Sequence, residues 1–163
     1  AGRQKRLRRA LHWTLYGVLA LALYIGVFRR YRMTTVVTPA LAAIYEGASQ
    51  ARLILDIDPA YAIQRSTLVW WEHEGQTCFA RVAAIPGDRL ESDEDQRWRA
   101  VTPQGEVLRF PPERRLPERL SSVTLAPGQY ILFVDLATSE WPDSRSVGIV
   151  AREAIRYRVL LRM

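Results

Sequence analysis

The sequence predicts a mainly β protein: an antiparallel β domain over residues 33–163, carried on one N-terminal transmembrane helix. Three observations predict it. Leu11 to Phe28 is a run of 18 residues without a formally charged side chain. From Met33 onward the apolar runs are short, rich in Val, Ile, Leu, Trp and Tyr, and separated by turn residues. The formal charge of +6 is unevenly placed: residues 1–32 carry eight cations and no acid, whereas residues 33–163 carry 15 arginines against 17 acids.

Residues 1–10 form a basic tail with Arg3, Lys5, Arg6, Arg8 and Arg9. The span 11–28 follows, and at 1.5 Å per residue it reaches about 27 Å, close to a hydrocarbon core. Trp13 and Tyr16 at one end, with Tyr24 and Tyr31 at the other, suit the two interfaces. Five basic residues before the span against three after it (Arg29, Arg30 and Arg32) favour a cytoplasmic N-terminus. A cleavable leader would place a small-residue site directly after the apolar segment, but Arg29-Arg30-Tyr31-Arg32 stands there and Ala40-Leu41-Ala42 comes too late. The anchor is therefore expected to be retained, with the domain facing the periplasm from a bacterial inner membrane. Because the positive balance belongs to the anchor, nucleic acid is not an expected partner.

Within the domain, Leu41 to Glu46 suggests one short helical turn after Pro39. Leu53–Leu55, Leu68–Trp71, Cys78–Ile85, Tyr130–Val134 and Ala154–Leu161 are the clearest strands. Pro86-Gly87-Asp88 and Ala126-Pro127-Gly128-Gln129 are turns set against two of them. Residues 91–120 combine an acidic cluster (Glu91 to Asp95) with a proline- and arginine-rich stretch (Pro111 to Arg119), and read as a polar, solvated excursion. A hairpin around Gln104-Gly105 joins Arg97–Val101 to Glu106–Phe110. The single cysteine, Cys78, lies in an apolar run and is expected as a buried thiol. No metal-ligand spacing, phosphate loop or paired carboxylate occurs, so neither a cofactor nor a metal is expected.

Two segments carry a specific pattern. Arg81-Val82-Ala83-Ala84-Ile85-Pro86-Gly87-Asp88-Arg89 resembles a Lys-Arg-Val-Val-Gly-apolar-Pro-Gly-Asp box, and Asp143-Ser144-Arg145-Ser146-Val147-Gly148-Ile149-Val150 resembles Asp-Ser-Arg-x-x-Gly-x-Val. Both boxes, in this order and spacing after one anchor, are similar to those of the type I signal peptidases, the family of leader peptidases and conjugative pilin-maturing peptidases. The resemblance covers most of the outer domain. It implies the family's β fold, with Arg81, Pro86, Gly87, Asp88, Asp143, Ser144, Arg145 and Gly148 as structural residues. Asp143 and Arg145 are expected to pair and shape a loop.

The resemblance also locates what is missing. The family's lysine base precedes the Arg-Val pair, and Ala80 stands there. Its serine nucleophile falls at Val36 in the leader-peptidase alignment and at Val37 in the conjugative one. The serine that holds the lysine, two residues before Asp-Ser-Arg, is Trp141. Lys5, the one lysine in the chain, lies ahead of the anchor, and arginine cannot replace a neutral amine because its guanidinium stays protonated. Thr34 or Thr35 falls where the family places an oxyanion-hole hydroxyl. The usual Arg-Gly-Asp reads Arg65-Ser66-Thr67, and Gly-Asp-Asn reads Val134-Asp135-Leu136. His73 lies seven residues before the lysine position and is expected in a solvated hairpin turn, and His12 at the membrane edge. An unactivated threonine is a poor nucleophile at neutral pH.

The expected function is thus a catalytically inactive, signal-peptidase-like component that binds polypeptide by β-augmentation within a conjugation, pilus or secretion assembly. Its partners would be other envelope proteins, a pilin or an active peptidase, together with membrane lipids around the anchor. The alternative is an active peptidase with an unrecognised dyad. Trp70, Trp71, Arg114 and Arg115 are candidate partner contacts, and Trp70, Trp71, Trp98 and Trp141 are also candidates for core or groove lining.

Overall fold

A computed structural model of the chain describes residues 2–38, 41, 50–58, 60–93, 95, 97–135 and 140–162, with side chains from His12 to Leu160 within those ranges. The helix α1 spans Gly2–Arg30. It runs further than the apolar stretch at both ends, taking in the basic tail and the first two arginines beyond the span. His12–Arg30 within it is long and apolar enough to cross a membrane. Every side chain from His12 to Arg30 is exposed, Trp13 at 76% and Leu23 at 70%. A helix of this length and composition can span a hydrocarbon core.

No linker separates the anchor from the domain. Strand β1, Tyr31–Val37, begins at the residue after α1, two residues before the expected start of the domain at Met33. The switch follows from Thr34-Thr35-Val36-Val37, four consecutive β-branched residues that favour a pleated strand. The joint is pinned: the Ile57 N–H donates to the Arg30 carbonyl (2.9 Å), and the Arg30 guanidinium reaches the buried Asp56 carboxylate (3.3 Å).

The remaining strands are β2 (Gln50–Asp56), β3 (Leu68–His73), β4 (Gln76–Ala84), β5 (Arg89–Ser92), β6 (Trp98–Val101), β7 (Val107–Arg109), β8 (Gln129–Phe133), β9 (Val150–Ala151) and β10 (Ile155–Arg162), with a one-turn helix α2 at Ser144–Val147. Seven form an antiparallel sheet in the order β1-β2-β10-β3-β4-β8-β9, and three form a second sheet, β5-β6-β7. The five strands expected from the sequence are all present. Register shifts in the β2–β10, β10–β3 and β4–β8 pairs curl the large sheet. Strands β3 and β4 meet at Glu74-Gly75, both at positive φ (49° and 78°), a tight turn whose twist matches the strands. The expected helical turn at 41–46 lies outside the described residues except for Leu41, which is fully buried.

Residues 91–120 depart from the expectation of a solvated excursion. The hairpin is present, but β5, β6 and β7 build a sheet over a second core, in which Leu90, Trp98, Ala100, Leu116 and Leu120 pack against Ile131 and Phe133. Strand β8 serves both cores: Tyr130 and Leu132 face the main cluster, and Ile131 and Phe133 face the second. Alternation of side chains along a strand makes this unavoidable once both faces are covered. Charge conceals the apolar positions in sequence. Glu91, for example, pairs with Arg89 and, at 2.8 Å, with Arg99 on the outside of the sheet.

Candidate functional site

The two motif boxes are turns held by buried carboxylates. Gly87 adopts φ +92°, and a Cβ there would sit 3.2 Å from Pro103 Cγ, so glycine is required. Asp88, fully buried, accepts the Ile85 N–H (2.9 Å) and binds the Arg65 guanidinium. Its carbonyl receives the Leu125 N–H (2.8 Å), while Gly87 N–H donates to the Leu125 carbonyl (2.8 Å). Pro86-Gly87-Asp88 thereby turns the chain out of the large sheet and into the small one. Ser66, the residue after Arg65, has φ +64°, a left-handed conformation in the position where the resemblance puts a glycine.

The second box finishes an unpaired strand edge. Beyond Tyr130, no strand among the described residues pairs with β8 on its β9 side. The Leu132 N–H donates instead to Ser144 Oγ (2.8 Å), and the Val134 N–H donates to Asp143 (3.2 Å). Asp143 also caps α2, accepting the Arg145 N–H at 2.8 Å, and pairs with the Arg145 guanidinium at 3.0 Å. Gly148 closes the turn at φ +82°. Arg81 binds Asp135 (2.8 Å) and donates to the Ser66 carbonyl (3.3 Å), joining the segment before β3 to the end of β8. Arg81 sits within β4, paired on both sides, and the other seven motif residues lie in turns or beside the β8 edge.

The vacated positions divide between a core and a cavity. Ala80 is fully buried on β4 opposite Val69, in the same apolar cluster as Val36. Val36, at 8% exposure, turns inward, and Val37, at 72%, turns outward. Both line a cavity of about 520 Å³ with their β1 neighbours Thr34, Thr35 and Thr38, Trp70 of β3, Gln76 and Thr77 of β4, and Trp141. Two of the three positions that the resemblance marks as vacated, the serine's (Val36 or Val37) and Trp141, therefore meet at one cavity. The described lining residues carry no charge, and His73 is not among them. His73 is the last residue of β3 rather than a turn residue, half-buried with its ring 5.6 Å from that of Trp71.

Among the described residues, no strand pairs with the outer edge of β1, which the cavity borders. Strand β1 is terminal in the large sheet and pairs with β2 from Tyr31↔Asp56 to Val37↔Gln50. The Ile57 N–H on the Arg30 carbonyl sets the phase of this ladder. Arg32, Thr34 and Val36 then bond to β2, and the N–H and C=O groups of Met33, Thr35 and Val37 point away from it. Sequence reasoning did not identify this edge, although the β-branched run at 34–37 was the available signal.

The candidate contacts separate in the same way. Trp70 lines the cavity and is locked in a three-strand aromatic row, 5.5 Å from Phe79 and 5.4 Å from Tyr157. Its Nε1–H is buried with no hydrogen-bond partner among the described residues. Trp71, on the opposite face of β3, is 1% exposed, so it is a core residue and not a contact surface. Arg114 is likewise committed to the fold, stacked 5.2 Å from the centre of the Phe133 ring and bonded to the Asp135 carbonyl (3.3 Å). Arg115 remains exposed beside a separate pocket near Trp98. Burial pushes the Cys78 thiol up to about 11, so it is unreactive where it sits. The described residues hold no cluster of metal-ligating side chains. The chain matches no protein-family model and no curated protein.

Proposed function

We propose that this chain is a membrane-anchored, catalytically inactive protein similar to the type I signal peptidases, which grips an extended polypeptide against the free edge of β1. The observation that carries the reading is the coincidence of Val36, Val37 and Trp141 at one cavity beside that edge, with no charge among its described lining residues. The open N–H and C=O groups of Met33, Thr35 and Val37 supply backbone affinity, and the cavity supplies side-chain selectivity. In place of a hydroxyl and an amine, the two central positions hold aliphatic packing. In this reading the N-terminus is cytoplasmic and the domain lies in the periplasm, bound to the inner membrane of a bacterium. Its partners are protein components of an envelope assembly of the conjugation, pilus or secretion type, a pilin or a separate active peptidase among them.

Thr35→Pro tests the reading. It removes one outward N–H and places a ring across the edge, while proline on an edge strand leaves the ladder to β2 intact. Peptides that bind the unmodified full chain in nanodiscs should lose at least tenfold in affinity. Unchanged affinity would remove the β1 edge as the binding surface. Mass spectrometry of proteins retained with the chain from native membranes identifies the assembly.

A further inference from the structure

We infer that the β1 groove selects an uncharged, extended segment carrying a bulky aromatic side chain that seats against Trp70 and Trp141. This rests on the reading of the groove as a peptide site and adds the chemistry of the peptide. Size is the first argument: the cavity is about 520 Å³, whereas an apolar void of roughly 150 Å³ already holds a benzene ring. A methyl side chain would leave most of it to water.

The second argument is the surface. Two indoles, four threonines and one glutamine stand among the described lining residues, none of them charged, so a lysine or aspartate entering would surrender hydration and gain no ionic partner among them. The third is rigidity. The contacts with Phe79 and Tyr157 fix the Trp70 ring, and a preformed aromatic wall loses little conformational freedom on binding. Side chains alternate along a docked strand, so every second residue faces the cavity.

The test uses the full chain in lipid nanodiscs and fluorescein-labelled heptapeptides Ser-Thr-Val-x-Val-Thr-Ser, read by fluorescence polarisation. With x as Phe or Trp, binding should be about tenfold tighter than with Ala, and with Lys or Asp weaker than with Ala. Trp141→Ala should bring the Phe peptide down to the affinity of the Ala peptide. Trp70→Phe keeps an aromatic ring but shrinks the wall, and should weaken the Phe and Trp peptides about fivefold or more with little effect on the Ala peptide. Equal binding of all five peptides, or tightest binding with Ala, overturns the aromatic selectivity and leaves the groove standing. Binding of none of them overturns the selectivity and the groove together. The peptide series on the unmodified chain decides the matter even if a tryptophan variant fails to fold.

Discussion

Asp143→Ala should destabilise the outer domain by about 2–4 kcal/mol, because this carboxylate serves two backbone donors at once. It is 1% exposed and accepts from the Val134 and Arg145 N–H groups. Val134 is itself 1% exposed, so its orphaned N–H has no access to water, a cost of about 1–3 kcal/mol. Loss of the cap on α2 adds roughly 1 kcal/mol. The Arg145 ion pair adds little, since its guanidinium reaches solvent. Domains of this size are stable by roughly 5–15 kcal/mol, so the variant should fold. Its urea transition should move to lower concentration with unchanged slope. Asp143→Asn, which keeps one acceptor oxygen, should recover about half of the loss. A shift below 0.5 kcal/mol for the alanine variant would refute the view that the Asp-Ser-Arg box completes the edge of β8.

Other consequences are open to direct measurement. Burial raises the Asp56 pKa, but the Asp58 N–H, Arg158 and Arg30 outweigh it and hold the carboxyl below its ordinary value. Its contribution is therefore complete above about pH 4, the unfolded value, and fades as pH falls through the lower folded value. Urea midpoints between pH 6 and pH 2.5 should decline less steeply for Asp56→Asn than for the unmodified chain. Ser66→Gly should raise stability by about 0.5–1 kcal/mol by relieving a left-handed serine, the relief exceeding the added chain entropy. A lower melting temperature would contradict it. Cys78 should resist thiol reagents in the folded chain at pH 8 and label at the rate of unfolding in urea. Immediate labelling in the absence of denaturant would place it at the surface.

Strands were legible where apolar runs coincided with turn residues. Cys78 to Ile85 ends at Pro86-Gly87, and Tyr130 to Val134 follows Pro127-Gly128, so both boundaries were marked by backbone chemistry. The second sheet was hidden for a physical reason. Leu90, Trp98 and Ala100 occupy inward positions among arginines and carboxylates that pair outside, and the average over such a segment is polar although one face is buried. Trp70 and Trp71 posed a similar problem: adjacent in sequence, they point to opposite faces of β3, and only the neighbours of each face decide which lines a cavity. The structural roles of Asp88 and Asp143 were foreseeable from their turn boxes. Their backbone partners at Ile85 and Val134 were not, since those bonds depend on where separate segments meet. The β1 edge escaped notice because an open edge is a property of the whole sheet order.

The most direct measurement combines binding and turnover in one sample. The full chain in nanodiscs is mixed with the Phe-containing heptapeptide, polarisation is followed to equilibrium, and intact masses of chain and peptide are then recorded. The account predicts a saturable rise in polarisation with both masses unchanged after prolonged incubation. Peptide fragments, or a chain heavier by an acyl group, would contradict it.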